Sequence, residues 1–142
     1  MIRFLVFFLI IFVNYKYALS RNIGETEITT EDGIEVFQEE KYYLLKKNVE
    51  IVSDEFELNG DLVKIYFEKD LYDIQELFAS TNVDFVSNAY NIKGKGETLT
   101  FNIKKEQINV AGSESELFLE TTEMFSDGSI TVDNIIGSFS IK

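Results

Sequence analysis

Apolar and polar side chains alternate along this chain with a period of two, and that habit leaves little besides β-structure open to it. Val49-Glu50-Ile51, Phe56-Glu57-Leu58, Val63-Lys64-Ile65-Tyr66-Phe67 and Val83-Asp84-Phe85 follow the pattern. So do Leu99-Thr100-Phe101-Asn102-Ile103, Ile108-Asn109-Val110, Leu117-Phe118-Leu119 and Ile130-Thr131-Val132. Successive side chains of a strand point to opposite faces, so each run presents one apolar face. The runs are rich in β-branched and aromatic residues, which suit a pleated surface. No segment after residue 20 combines caps with a 3.6-residue period. Tyr72 to Ala79 tolerates a helix but reads better as a strand. Turn signals recur between the runs: Asp32-Gly33, Asn59-Gly60, Gly94-Lys95-Gly96, Gly112-Ser113 and Asp127-Gly128. Asn59-Gly60 is the strongest, because a type I′ turn needs positive φ at both central residues. Many short strands with close turns predict an all-β sandwich, barrel or roll.

The first twenty residues differ. Met1-Ile2-Arg3 is a cationic start, Phe4 to Val13 is an unbroken apolar run, and Ala18-Leu19-Ser20 places small residues before a cut after Ser20. That is the layout of a secretory signal peptide, residues 1–20, ahead of one domain, residues 21–142. The alternative of a retained membrane anchor has an apolar run only about half of the roughly 20 residues that span a bilayer. No Cys follows the run, so a lipoprotein anchor is excluded.

Composition removes several kinds of chemistry. The chain has no His and no Cys, so it holds no disulfide, no thiolate metal site and no Ser-His-Asp or Cys-His machinery. With 13 basic and 25 acidic residues its net charge is −12. Nucleic acid, which needs a basic footprint, is not an expected partner. Glu25, Glu27, Glu31, Asp32, Glu35, Glu39 and Glu40 form an acidic stretch, but acids that mostly alternate with apolar residues describe a solvated sheet face better than a glycosidase pair. Calcium loops with Asp-x-Asp spacing are absent. The chain is expected not to be an enzyme and to carry no cofactor or metal.

An internal repeat is also legible. Asn48 to Phe67 and Asn82 to Phe101 both begin Asn-Val-acid-apolar-Val-Ser and both end in alternating residues, at a spacing of 34. A weaker third unit starts near Ser113. A repeat of this length is one supersecondary unit that buries its apolar face only by stacking on its neighbours.

In this order the units resemble the OstA-like family of lipopolysaccharide-transport proteins. One runs Leu44-Leu45-Lys46-Lys47-Asn48-Val49-Glu50-Ile51, then Leu58-Asn59-Gly60-Asp61-Leu62-Val63. The next runs Phe78-Ala79-Ser80-Thr81-Asn82-Val83-Asp84-Phe85, then Lys93-Gly94-Lys95-Gly96-Glu97-Thr98-Leu99, and Val110-Ala111-Gly112-Ser113 is a weaker last one. The glycine that precedes Asn-Val in the family pattern is Lys47 in the first unit and Thr81 in the second. The resemblance spans roughly residues 25 to 135. It implies a jelly-roll-like twisted antiparallel sheet pair with an open interior. It also implies a periplasmic carrier of lipopolysaccharide, whose copies stack head to tail or join related β domains at the inner and outer membranes, with no catalytic step. The other function open to the same fold is a structural or assembly module, anchored or at the surface.

The residues fit such a carrier. Val49, Ile51, Phe56, Leu58, Val63, Ile65, Phe67, Val83, Phe85, Leu99, Phe101 and Ile103 form one apolar face that could line a lane for the acyl chains of lipid A, or simply pack as a core. Each sheltered methylene contributes about 0.8 kcal/mol. Three lysine groups, Lys41 with Lys46 and Lys47, Lys93 with Lys95, and Lys104 with Lys105, are candidates to meet its phosphates or to solvate sheet edges. Glu25 to Thr30 and Ser138 to Lys142 are the expected sheet edges.

Overall fold

The structure, a computed structural model, describes residues 25–70, 73–133 and 138–142. Among them are eleven strands and no helix. β1 (Glu27–Thr29) and β2 (Ile34–Phe37) precede four long strands, β3 (Tyr42–Val52), β4 (Phe56–Phe67), β5 (Ile74–Ser87) and β6 (Ile92–Asn102). Five short strands follow: β7 (Gln107–Ala111), β8 (Ser115–Leu119), β9 (Thr122–Ser126), β10 (Ser129–Asp133) and β11 (Ser138–Ile141). All pair antiparallel in one hydrogen-bonded sheet.

The sheet folds over itself along one line, and nearly every pass of the chain is interrupted there. Register shifts separate Lys46 from Val49 in β3, Asn59 from Leu62 in β4 and Ser80 from Val83 in β5. β1 and β2 share one edge of β3, broken apart at residues 30–33. β7 and β8 share one edge of β6, broken at residues 112–114. β9 and β10 are broken at residues 127–128. Bulges bend a strand and raise its twist. An aligned row of them creases the sheet into two layers that face each other.

The crease gives the Asn-Val repeat its physical meaning. Lys47 and Asn48 have φ of 60° and 44°, and Thr81 and Asn82 have φ of 64° and 54°. Both are left-handed pairs, a conformation that is uncommon for residues other than glycine. The Asn48 amide donates to a Glu31 carboxylate oxygen, and Asn82 Nδ2 donates to Asp61 Oδ2 at 2.8 Å. In the third unit Ser113 Oγ donates to Glu97 Oε1 at 2.8 Å. One carboxylate thus meets one amide or hydroxyl at the crease in each unit. The Val-Ser end of the repeat is a hairpin turn: Ser53 Oγ accepts from Phe56 N at 3.1 Å, and Ser87 Oγ accepts from Tyr90 N at 3.2 Å.

Two turn expectations are corrected. Asn59-Gly60 lies inside β4, where Asn59 pairs with both Glu50 and Asp84, and Gly60 does not adopt positive φ. Gly94-Lys95-Gly96 lies inside β6. Gly96 serves close packing instead, since a Cβ there would stand 2.6 Å from Val110 Cγ1. The turn between β3 and β4 falls at Ser53-Asp54-Glu55, where serine does the work that Gly does elsewhere. Asp32-Gly33, Gly112-Ser113 and Asp127-Gly128 do fall between strands, but as bends at the crease where a pass continues rather than as chain reversals. The 74–79 part of the helix-tolerant stretch is strand, while Tyr72 and residues 1–20 lie outside the described residues.

The core sits between the layers. Leu45, Leu58, Val63, Ala79, Leu99, Val110, Leu117 and Ile130 are fully inaccessible to solvent. The buried serines are satisfied: Ser87 Oγ donates to Glu55 O at 2.9 Å and Ser115 Oγ to Gly112 O at 2.9 Å.

Candidate functional site

The layers do not mesh along their whole length. At the side where the β3–β4 turn, the start of β5 and the β6–β7 turn come together, a cavity of about 290 Å³ opens between them. Ile28 of β1, Ile51 of β3 and Phe56 of β4 line one wall. Ile65 of β4, Ile74 and Leu77 of β5, and Ile103 line the other. The rim holds Glu25, Thr26, Asp54 and Glu55, all exposed. Behind Phe56 the interior closes on an aromatic cluster. Phe56 meets Phe85 at 5.8 Å and Phe101 edge-on at 5.6 Å, and Tyr90 meets Phe101 edge-on at 6.2 Å. Such edge-to-face contacts are a favoured arrangement of aromatic rings.

Of the twelve residues expected to line an apolar lane, Ile51, Phe56, Ile65 and Ile103 border this cavity. Val49, Leu58, Val63, Phe67, Val83, Phe85, Leu99 and Phe101 lie deeper in the same apolar face, buried by the opposing layer. Ile103 stands at the turn after β6, not within the strand. Sequence reasoning missed Ile28, Ile74 and Leu77. Ile28 sits in a three-residue alternation, too short to stand out beside the long runs. Ile74 and Leu77 lie in a stretch read as strand, but they are three residues apart, so no two-residue alternation joins them; a register shift in the pairing of β4 with β5 falls between them.

No lysine lines the cavity among the described residues. Instead Lys46 pairs with Glu35 at 4.0 Å, Lys47 with Asp32 at 3.5 Å, Lys95 with Asp84 at 3.5 Å, and Lys104 with Glu68 at 3.0 Å. All four pairs are exposed and contribute little to stability. The hydrogen bond to Glu68 raises the Lys104 ammonium above its ordinary pKa. Lys64 Nζ lies 5.2 Å from the Tyr42 ring centre, on the outer face. The Tyr90 phenol is raised above its ordinary value, first by burial and then by the charges of Glu106 and Glu55.

The apolar face also runs on past the closed core. In β2, Ile34 pairs with buried Leu45 and Val36 with Tyr43. In β11, Ile141 pairs with buried Ile130 and Phe139 with buried Val132. Cross-strand partners share a face, so these four residues belong to the interior surface. Yet Ile34 is 52%, Val36 46%, Phe139 56% and Ile141 49% exposed. The interior is therefore uncovered at β2 and at β11.

No protein-family model and no curated protein sequence matches the chain. Among solved structures it is similar to LptH, the LptA homologous periplasmic component of the conserved lipopolysaccharide transport device from Pseudomonas aeruginosa. The TM-score is 0.69 at 10% identity, covering 83% of this chain and 82% of that one. The likeness shows the fold: an all-β, open antiparallel sheet of the LptA type.

Proposed function

We propose that this chain is an exported, non-catalytic lipid carrier of the lipopolysaccharide-transport type. It shelters acyl chains of lipid A against its interior apolar face and hands them on between copies or related β domains. The observation that carries this reading is the apolar face itself, which begins at a cavity and continues onto uncovered residues of β2 and β11. A sealed sandwich has no use for Ile34, Val36, Phe139 and Ile141 on its inner side. Head-to-tail contact between the β2 end of one copy and the β11 end of the next would cover them and pair open strand edges. Because the two ends are different surfaces the contact is heterologous, and it grows into a filament when the rotation between copies does not close a ring. The fold shared with LptH supports the same reading, and a periplasmic location after cleavage of residues 1–20 belongs to it.

A photo-crosslinking residue in place of Phe56 or Ile103 tests the site directly. Incubation with lipopolysaccharide is expected to give an adduct at both positions and none at Phe125, which is exposed on the outer face. Deacylated lipopolysaccharide should give none at any of them. Equal labelling at Phe125, or labelling that survives deacylation, removes the acyl-lane reading. The scaffold reading would then stand, favoured by the tightly closed packing around Leu58, Val63 and Leu99.

A further inference from the structure

One phenylalanine crosses the gap between the layers. Phe101 pairs with Ile108 and so belongs to the layer of β7. Phe85 lies opposite Gly94, which also pairs with β8, so it belongs to the other layer. Phe56 lies in that same layer, opposite Ser87, and Tyr90 stands in the turn that Ser87 opens. The Phe101 ring centre is 5.6 Å from Phe56, 5.4 Å from Phe85 and 6.2 Å from Tyr90, all within the range of favourable aromatic pairs. Phe85 and Phe101 are buried. The Tyr90 hydroxyl is bonded to Glu106 in the turn after β6. The cavity stops at this cluster: Phe56 lines it, whereas Phe85, Tyr90 and Phe101 do not. The apolar face nevertheless continues past the cluster through Leu99, Val110 and Leu117.

Size decides what the cluster does to a ligand. At about 290 Å³ the cavity is at the small end of ligand sites, which run from about 300 to 1,000 Å³. A tail that enters from the rim gains with each sheltered methylene until it meets the rings. Past that point it must displace packed side chains, and overfilling a packed core costs more than one further methylene returns. We propose that Phe101, wedged among Phe56, Phe85 and Tyr90, is a stop that sets the longest aliphatic tail the cavity accepts. The proposal rests on the acyl-binding reading above and adds to it a selection by tail length. Tyr90 is a positioning residue: tied at its backbone to Ser87 and at its hydroxyl to Glu106, it braces the Phe101 ring.

The test is calorimetric titration of the purified full chain with n-alkyl maltosides from octyl to tetradecyl, each below its micelle concentration. One uncharged head throughout leaves tail length as the only variable. Affinity is expected to rise about fourfold per methylene up to one length, and by less than about twofold per methylene beyond it. Phe101→Leu keeps the position apolar but removes the ring, and is expected to move that break to longer tails, as is Tyr90→Leu. Phe125→Leu, on the outer face, should leave the break where it is. On the unaltered chain, a diazirine at the tip of the tail of break length should label Phe56 or Phe101. An unbroken rise through tetradecyl in the parent, a break unmoved by either variant, or tip labelling beyond the cluster at Val110 or Leu117 overturns the stop while the apolar lane survives. If no maltoside binds, whatever its tail, the acyl-binding reading itself fails and takes this inference with it.

Discussion

Thr81 is the residue with the most to gain from a change. A β-branched side chain at φ 64° is an outlier among L-residues, and left-handed backbone costs roughly 1–2 kcal/mol. Glycine removes that strain but loses more freedom on folding, by about 0.5–1 kcal/mol. Thr81→Gly is therefore expected to stabilise the fold by about 0.5–1 kcal/mol, read as a higher midpoint in urea at unchanged slope. A lower midpoint would mean that Thr81 makes contacts worth more than its strain. Gly96 is the opposite case. A Cβ there would stand 2.6 Å from Val110 Cγ1, so Gly96→Ala is expected to cost about 1–3 kcal/mol. Val110→Ala made together with it should cost less than the two changes summed. Tyr90 sets a pH limit. The unfolded chain gives up its phenol proton near the ordinary value of about 10, while the folded chain holds it to higher pH. The native state then binds more protons, so stability falls as pH rises from there through the raised pKa. Tyr90→Phe should flatten that alkaline loss in a series of urea titrations.

At the scale of strands, the crease explains why four strands of 11 to 14 residues coexist with seven short ones. Each pass along the sheet crosses the same line. β3, β4, β5 and β6 cross it continuously, whereas β1 and β2, β7 and β8, and β9 and β10 are passes cut in two. In the proposed head-to-tail association the edge strands β2 and β11 would form the contact. A lysine in place of Val36 or a glutamate in place of Phe139 puts charge on an uncovered inner edge, the device that native sheets use to block pairing. Either change is expected to abolish concentration-dependent growth in sedimentation while leaving the far-ultraviolet β-spectrum intact. Growth that persists in both variants would remove β2 and β11 as the joining edges.

For the molecule as a whole, the layered roll combines a closed core with an unmeshed side. Packing around Leu58, Val63 and Leu99 supplies stability without any disulfide. The unmeshed side near Ile28, Phe56 and Ile103 leaves the cavity of about 290 Å³. Cutting Phe56 back to alanine acts on both. It is expected to destabilise the chain by about 3 kcal/mol, the lower end for a truncated core phenylalanine because the ring is only partly buried. It also enlarges the cavity, so a dodecyl amphiphile should restore part of the lost thermal stability by binding the native state. A variant no more stabilised by the amphiphile than the parent would show that the enlarged space is not joined to the binding lane.

The sequence by itself determined the all-β class, because a two-residue alternation fixes which face of each strand is apolar whatever its neighbours do. It also marked the repeat, since Asn-Val and Val-Ser recur at the crease and at the hairpin turns, both local in the chain. It misplaced Asn59-Gly60 and Gly94-Lys95-Gly96, because a glycine that opens a turn and a glycine that admits a neighbouring side chain are written alike. Only the tertiary structure decided where the apolar face is covered. Ile34 and Val63 are equally apolar in sequence, yet one is half-exposed and the other sealed. The difference lies in whether an opposing layer reaches that far, and that depends on contacts between residues distant along the chain.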